Sequence, residues 1–157
     1  MHTLHIGEKA PGFNLVSSDK TMVNLEDFKG QNILLLFFPF AFTGACTAEM
    51  CQMRDDIALY EKANAQIFGI SVDSPFTLNK FKELNQIPFP LLSDFNKITC
   101  KAYDCLQEEW NFGLKGVSKR SAFILDKEGL LRYSEILENP GNLPNFEAIN
   151  QTLNNLI

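Results

Sequence analysis

An α/β fold with one mixed sheet is predicted by three observations. The run Ile33–Phe38 is continuously apolar, as expected for a central strand covered on both faces. Strand patterns there and at Gln66–Val72 alternate with helix patterns, which argues α/β. Two late strand patterns flank Lys127-Glu128-Gly129, and this second hairpin adds antiparallel strands to the sheet.

The elements follow in order. Phe13–Ser17 and Thr21–Leu25 are short strands around a polar Ser18-Asp19-Lys20 turn, an N-terminal β-hairpin. After the central strand, Cys46, Met50, Met53, Ile57 and Tyr60 recur in steps of four and three, so one helix is expected from Ala45 to about Lys62. Beyond the Gln66–Val72 strand, Ser74 is a good N-cap and Pro75 a good first helical residue. A shorter helix is expected over Asn96–Tyr103. Arg120–Asp126 and Leu130–Ile136 form the late hairpin. A last helix begins near Asn142–Pro144 and buries Phe146, Ile149, Leu153 and Leu156.

At 157 residues the chain fits one domain, 1–157, with enough length for a proper core. Its 14 phenylalanines weight that core toward aromatics. The net charge of −5 leaves no basic cluster beyond Lys115, Lys119 and Arg120, so nucleic acid is not an expected partner. The N-terminal Met1-His2-Thr3-Leu4-His5-Ile6-Gly7-Glu8 lacks the basic-then-apolar order of a signal peptide. The longest apolar run is broken by Pro39 and is too short to span a bilayer. A cytoplasmic location with no membrane anchor is the expectation. Four cysteines do not make a disulfide scaffold, and in a reducing compartment they are catalytic, metal-binding or buried. The spacings Cys46-x4-Cys51 and Cys100-x4-Cys105 are not those of a tetrahedral metal site, and the histidines, His2 and His5, sit at the N-terminus.

Cys46 stands at the junction of the central strand and the next helix. The first N–H groups of a helix have no intrahelical partner, and with the helix dipole they favour an anion. The anion on offer is the thiolate, the reactive form of cysteine. Cys46 is therefore a candidate nucleophile. The competing explanation is a buried cysteine acting as a small hydrophobe.

The pattern Pro39-x3-Thr43-x2-Cys46 resembles the signature of the peroxiredoxins. Gly7-x2-Ala10-Pro11-x-Phe13 is similar to the opening segment of that family, and Ser71-Val72-Asp73-Ser74 to its second core strand and turn. Lys119-Arg120-Ser121-Ala122-Phe123-Ile124-Leu125-Asp126 resembles the segment that carries its active-site arginine. Within the family, the Phe42–Cys46 loop looks closest to the E-type alkyl hydroperoxide reductases. The Cys46/Cys51 pair resembles the Q-type, or bacterioferritin-comigratory, branch. Gly44-Ala45 replaces the commoner Pro-Gly of the loop.

The resemblance implies a thioredoxin-like fold and a thiol peroxidase acting on hydrogen peroxide and organic hydroperoxides. Cys46 would attack one peroxide oxygen and become a sulfenic acid. Arg120 would present a permanent charge and a fork of donors. Thr43 would accept from the peroxide proton and donate to the sulfur. The N–H groups of Ala45 and Cys46 would face the developing oxyanion. Pro39 would shield the sulfur, and Glu49, one turn along, would hold Arg120. Phe40 and Phe42 are pocket walls or core residues. No metal, flavin or haem is implied. Thioredoxin or another dithiol would be the reductant, and the chain would be a monomer or a homodimer.

Cys51 is the resolving cysteine implied by the resemblance. Five helical residues rise about 7.5 Å, and a disulfide needs Cα atoms within about 7 Å with converging Cβ vectors. Cys46 and Cys51 thus cannot bond while the helix is intact, and its first turns must unwind. The alternatives are an inert Cys51, with Cys100, Cys105 or an external thiol resolving. A redox-sensing module that uses Cys46 without rapid turnover is the competing function.

Overall fold

Six consecutive buried residues, Asn32–Phe37, form the central strand β3. Alternation along it sends Ile33, Leu35 and Phe37 to one face of the sheet and Leu34 and Leu36 to the other. Both faces are covered, which is why the apolar run is unbroken. The computed structural model describes residues 3–157, so Met1 and His2 of the N-terminal reading lie outside the described residues.

The elements are β1 (Asn14–Ser17), β2 (Met22–Asn24), β3, α1 (Gly44–Asp55), α2 (Ile57–Lys62), β4 (Ala65–Ser71) and α3 (Pro75–Asn85). They continue with β5 (Leu91–Ser93), α4 (Ile98–Ala102), β6 (Leu106–Glu109), β7 (Lys115–Ser118), β8 (Ser121–Leu125), β9 (Leu131–Ile136) and α5 (Phe146–Asn155). Among the described residues the main sheet runs β2-β1-β5-β4-β3-β8-β9. Strands β3, β4 and β5 are parallel, while β1 and β2 at one edge and β8 and β9 at the other run antiparallel to their neighbours. A mixed sheet with an N-terminal hairpin is what the strand pattern predicts. Core residues from α1, α2, α3 and α5 lie with Leu34 and Leu36, and those of α4 and the N-terminal segment lie with Leu35 and Phe37.

Two expectations are corrected. The helix expected from Ala45 to Lys62 is two helices broken at Asp56, where φ is −100° and ψ is 12°. Asp55 and Asp56 place two acids at a helix C-terminus, the end that the dipole makes unfavourable to anions. Apolar spacing runs through the break, so periodicity alone joins the two. The hairpin β6–β7 and the short β5 were not expected. β6 is polar at three of its four residues and exposed at two, and β5 has only three residues, too few to show a period.

The caps match their residues. The Ser74 hydroxyl accepts from Thr77 N–H at 3.2 Å, with Pro75 next in the chain. In α5, which begins at Phe146, Ile149 and Leu153 are buried, whereas Phe146 and Leu156 are only partly covered.

Gly69 sits where β4 passes beneath the start of the site. A Cβ there would lie 2.6 Å from Leu91 Cδ2 and 3.4 Å from Phe38 Cε1. Gly69→Ala is expected to lower stability by about 1–3 kcal/mol through overpacking. Equilibrium urea unfolding checks it, and an unchanged midpoint would mean that Leu91 yields freely.

Candidate active site

The chain leaves β3 with Phe38 N–H donating to Ile70 O at 3.0 Å. Pro39 follows, buried and without an N–H to give. Ala41 N–H donates to Asp73 Oδ2 at 2.7 Å. Phe42 takes φ +69°, a left-handed conformation costly for a bulky residue. Thr43 is extended and caps α1, and the first helical bond runs from Thr47 N–H to Thr43 O at 2.9 Å. Gly44, Ala45 and Cys46 thus carry the N–H groups that have no carbonyl within the helix. This places Cys46, fully buried, at the positive end of α1.

Arg120, one residue before β8, reaches across to Cys46 and is only 1% exposed. Its Nη2 donates to Cys46 Sγ at 3.1 Å and its Nη1 to Glu49 Oε1 at 2.6 Å. Nε and Nη2 both donate to the carbonyl of Pro140, at 3.2 and 3.0 Å. Cys46 and Glu49 share one side of the first turn of α1, so a single guanidinium meets both. Burial pushes the Glu49 carboxyl up to about 7 against the opposing pull of Arg120, with the charge of Glu135 adding to the rise. Burial works against the Arg120 charge, and Glu49 and Cys46 outweigh it, so the guanidinium is held above its ordinary value. Glu49 Oε2 finds no partner among the described residues. A fixed cation 3.1 Å from sulfur, in a buried site, stabilises negative charge that forms beside it.

The other candidates fall less tightly. Thr43 is exposed, and its hydroxyl donates to Phe40 O at 3.0 Å, not to the sulfur as expected. Phe40 is half-buried and meets the Trp110 ring edge-on at 6.0 Å. Phe42 is 52% exposed and meets Phe81 at 5.2 Å. Cys51 lies half-buried on α1 with Sγ 3.8 Å from Asn85 Oδ1, at the end of α3. Cys46 and Cys51 therefore face different neighbours while α1 is whole.

Cys100 lies in α4, and Cys105 lies just beyond its end. Asp104 takes φ +55°, Cys105 N–H donates to Cys100 O at 2.9 Å and Asp104 N–H to Lys101 O at 3.1 Å. That is a Schellman end, whose outer pair is normally apolar and in contact. Hydrogen bonding to Cys105, and then burial, push the Cys100 thiol up. Both sulfurs belong to the core on the face of the sheet opposite Cys46, so the structure brings neither to it.

Asp73, Trp110 and the Pro140 carbonyl were not foreseen as parts of the site. A backbone carbonyl carries no residue-type signal, and Trp110 comes from the unexpected hairpin. Among the described residues no three His, Cys, Asp or Glu side chains are grouped to hold a metal, and no helix is long and apolar enough to cross a membrane.

A thioredoxin-like sheet that presents a buried cysteine at a helix start to an arginine fork defines a cysteine-based peroxidase. The AhpC/TSA family pattern matches residues 6–134, and the chain belongs to that family. It is 39% identical over 130 residues to "Peroxiredoxin Bcp" of Bacillus subtilis, covering 82% of this chain and 83% of that protein. It is 34% identical over 143 residues to "Alkyl hydroperoxide reductase E" of Mycobacterium bovis, covering 89% and 90%. Among solved structures, the bacterioferritin comigratory protein of Xanthomonas campestris, studied for its alkyl peroxide reduction activity, superposes with a TM-score of 0.81. That match has 26% identity and covers 91% of this chain and 90% of the other.

Arg120→Lys keeps the charge but loses the planar fork that serves Cys46, Glu49 and Pro140 at once. The rate of Cys46 oxidation by peroxide should fall about 10²-fold, the scale for removing one oriented donor. Rapid-quench mass spectrometry measures it, and an unchanged rate would assign the effect to charge alone.

Glu49 also shapes stability against pH. Its folded value of about 7 lies above the ordinary 4.5, so between those values the folded state binds more protons than the unfolded. The Glu49 contribution is complete below about pH 4.5 and is lost as pH rises through about 7. Urea unfolding at pH 5 and pH 7.5 should show a smaller difference between the two for Glu49→Gln than for wild type.

Proposed function

We propose that the chain, as one peroxiredoxin domain over residues 1–157, reduces hydrogen peroxide and organic hydroperoxides at Cys46. The observation that carries this is the guanidinium of Arg120 shared between the Cys46 sulfur and Glu49. The thiolate attacks one peroxide oxygen, forming an S–O bond as the O–O bond breaks. The electron pair leaves on the other oxygen, which takes a proton and departs as water or alcohol. Cys46 is left as a sulfenic acid. Arg120 and the N–H groups of Ala45 and Cys46 stabilise the charge that builds on oxygen. Thr43 donates to Phe40 O, so its lone pairs remain for the peroxide proton. Pro39 shields the sulfur, Phe40 and Phe42 flank the approach, and Glu49 holds Arg120.

Cys51 then attacks the Cys46 sulfur. An S–S bond forms, and the sulfenic oxygen leaves as water. The continuous α1 separates the two sulfurs, so its first turns must unwind and Cys51 must leave Asn85. Thioredoxin or another dithiol reduces the disulfide and the helix re-forms. The proposal places the protein in the cytoplasm, where thiols are kept reduced, as a monomer or a homodimer.

One equivalent of hydrogen peroxide on the reduced chain, followed by intact mass and peptide mapping, tests the cycle. Loss of two hydrogens mapped to Cys46–Cys51 is expected. A gain of one oxygen confined to Cys46 would instead mean a one-cysteine enzyme with Cys51 structural. Sustained turnover with a thioredoxin system, abolished in Cys46→Ser, separates an enzyme from a sensor that is oxidised once.

A further inference from the structure

We infer that Asp73 is a positioning residue of the peroxidase site, whose side chain pins the loop before α1 to the ends of β4 and β5 and so fixes where Cys46 lies. The inference rests on the peroxidase reading of Cys46.

Three observations converge on Asp73. First, the loop is thinly held where it matters. After Phe38 gives its N–H to Ile70 and Pro39 has none to give, the next anchored N–H is that of Ala41, on Asp73 Oδ2 at 2.7 Å. Second, the neighbouring residue is strained. Phe42 at φ +69° is strained and persists only where its surroundings over-determine it. The Ala41–Asp73 bond on one side and the Phe42–Phe81 ring contact on the other supply that. Third, Asp73 is itself built in. Ser71 Oγ donates to Asp73 Oδ2 at 2.7 Å and accepts from Asp73 N–H at 3.2 Å. Ser93 Oγ donates to Asp73 O at 2.6 Å.

Ser71 and Ser93 are paired residues of the parallel β4–β5 ladder, and both are buried. Apolar residues would serve the core better there. The Ser71 hydroxyl instead holds the Asp73 carboxylate and the Ser93 hydroxyl holds the Asp73 backbone carbonyl, so between them they fix the residue that meets the loop. Burial pushes the Asp73 carboxyl up, and the Ala41 N–H and the Ser71 hydroxyl oppose that by binding the charged form.

The two halves of the cycle need opposite things from this loop. Attack on peroxide needs it closed, with Cys46 beside Arg120. Disulfide closure needs it released, so that the start of α1 can unwind. Asp73 therefore speeds the first step and slows the second, a split that a general loss of stability would not produce.

Rapid-quench mass spectrometry reads both steps, as the gain of oxygen at Cys46 and then the loss of water on forming Cys46–Cys51. Asp73→Ala should slow the first step about tenfold, the scale of one lost hydrogen bond to a charged acceptor, and speed the second. Asp73→Asn keeps an acceptor for Ala41 N–H and should restore both rates. Unchanged rates, both steps slowed together, or an Asn variant as impaired as the Ala variant would overturn the inference. If Asp73→Ala does not fold, Ser93→Ala, which frees only the Asp73 carbonyl, should show the same split in smaller degree, and proportional slowing would overturn it. If wild type stops at the sulfenic acid, the first step decides: slow for Ala and normal for Asn supports the inference, and equal rates overturn it. Wild type that gains no oxygen removes the peroxidase reading and the inference with it, whereas normal wild type without the variant split removes the inference alone.

Discussion

Everything at this site depends on keeping one guanidinium charged in the interior. Arg120 is the largest fully buried side chain of the described residues, and an unpaired charge there would cost several kcal/mol. It persists because its donors end on a carboxylate, a backbone carbonyl and a sulfur. The partners arrive from two parts of the chain distant from Arg120. Glu49 and Cys46 come from the start of α1, Arg120 from the approach to β8 and Pro140 from the segment before α5. The network therefore ties the sheet, the first helix and the C-terminal segment into one electrostatic unit. The Glu49 carboxyl is the soft member of that unit, because burial and the nearby Glu135 oppose its ionisation while Arg120 favours it.

The sheet then sorts the sulfurs. Cys46 packs on one face with Met50 and Met53, and Cys100 and Cys105 pack on the other with Tyr103 and Phe123. Two pairs with the same x4 spacing thus have different physics. Cys46 and Cys51 span more than one turn of a continuous helix and are held apart by it. Cys100 and Cys105 span a Schellman end, where the same spacing brings backbones together. A spacing has no fixed meaning until the backbone between its ends is known.

The loop between β3 and α1 shows how the site is both rigid and releasable. A left-handed phenylalanine, a proline without a donor and a single carboxylate contact hold it in one shape. Cys51 waits beside Asn85, where Arg54 also bonds the Asn85 carbonyl at 2.7 Å. In the first turns of α1, Cys46 and Glu49 are held by Arg120, and Met50 and Met53 by the core beneath them.

Much of this was legible in the residues. The unbroken apolar run Ile33–Phe38, the Ser74-Pro75 helix start and the late hairpin are short-range signals, and the structure carries each. The pattern Pro39-x3-Thr43-x2-Cys46 singled out Cys46, and helical spacing put Glu49 on the same side of the first turn. The break at Asp56 was hidden because apolar periodicity runs across it. The β6–β7 hairpin was hidden because β6 is mostly polar. By itself, then, the sequence determined the mixed α/β fold and put Cys46 at the start of a helix, because these rest on local periodicity and on residue type. Only the tertiary structure decided which way Thr43 turns, that Asp73 bonds the loop at Ala41 and the Pro140 carbonyl bonds Arg120, and that Cys100 and Cys105 lie across the sheet from Cys46. Those facts depend on which distant backbone groups come within hydrogen-bond reach, and no local pattern encodes that.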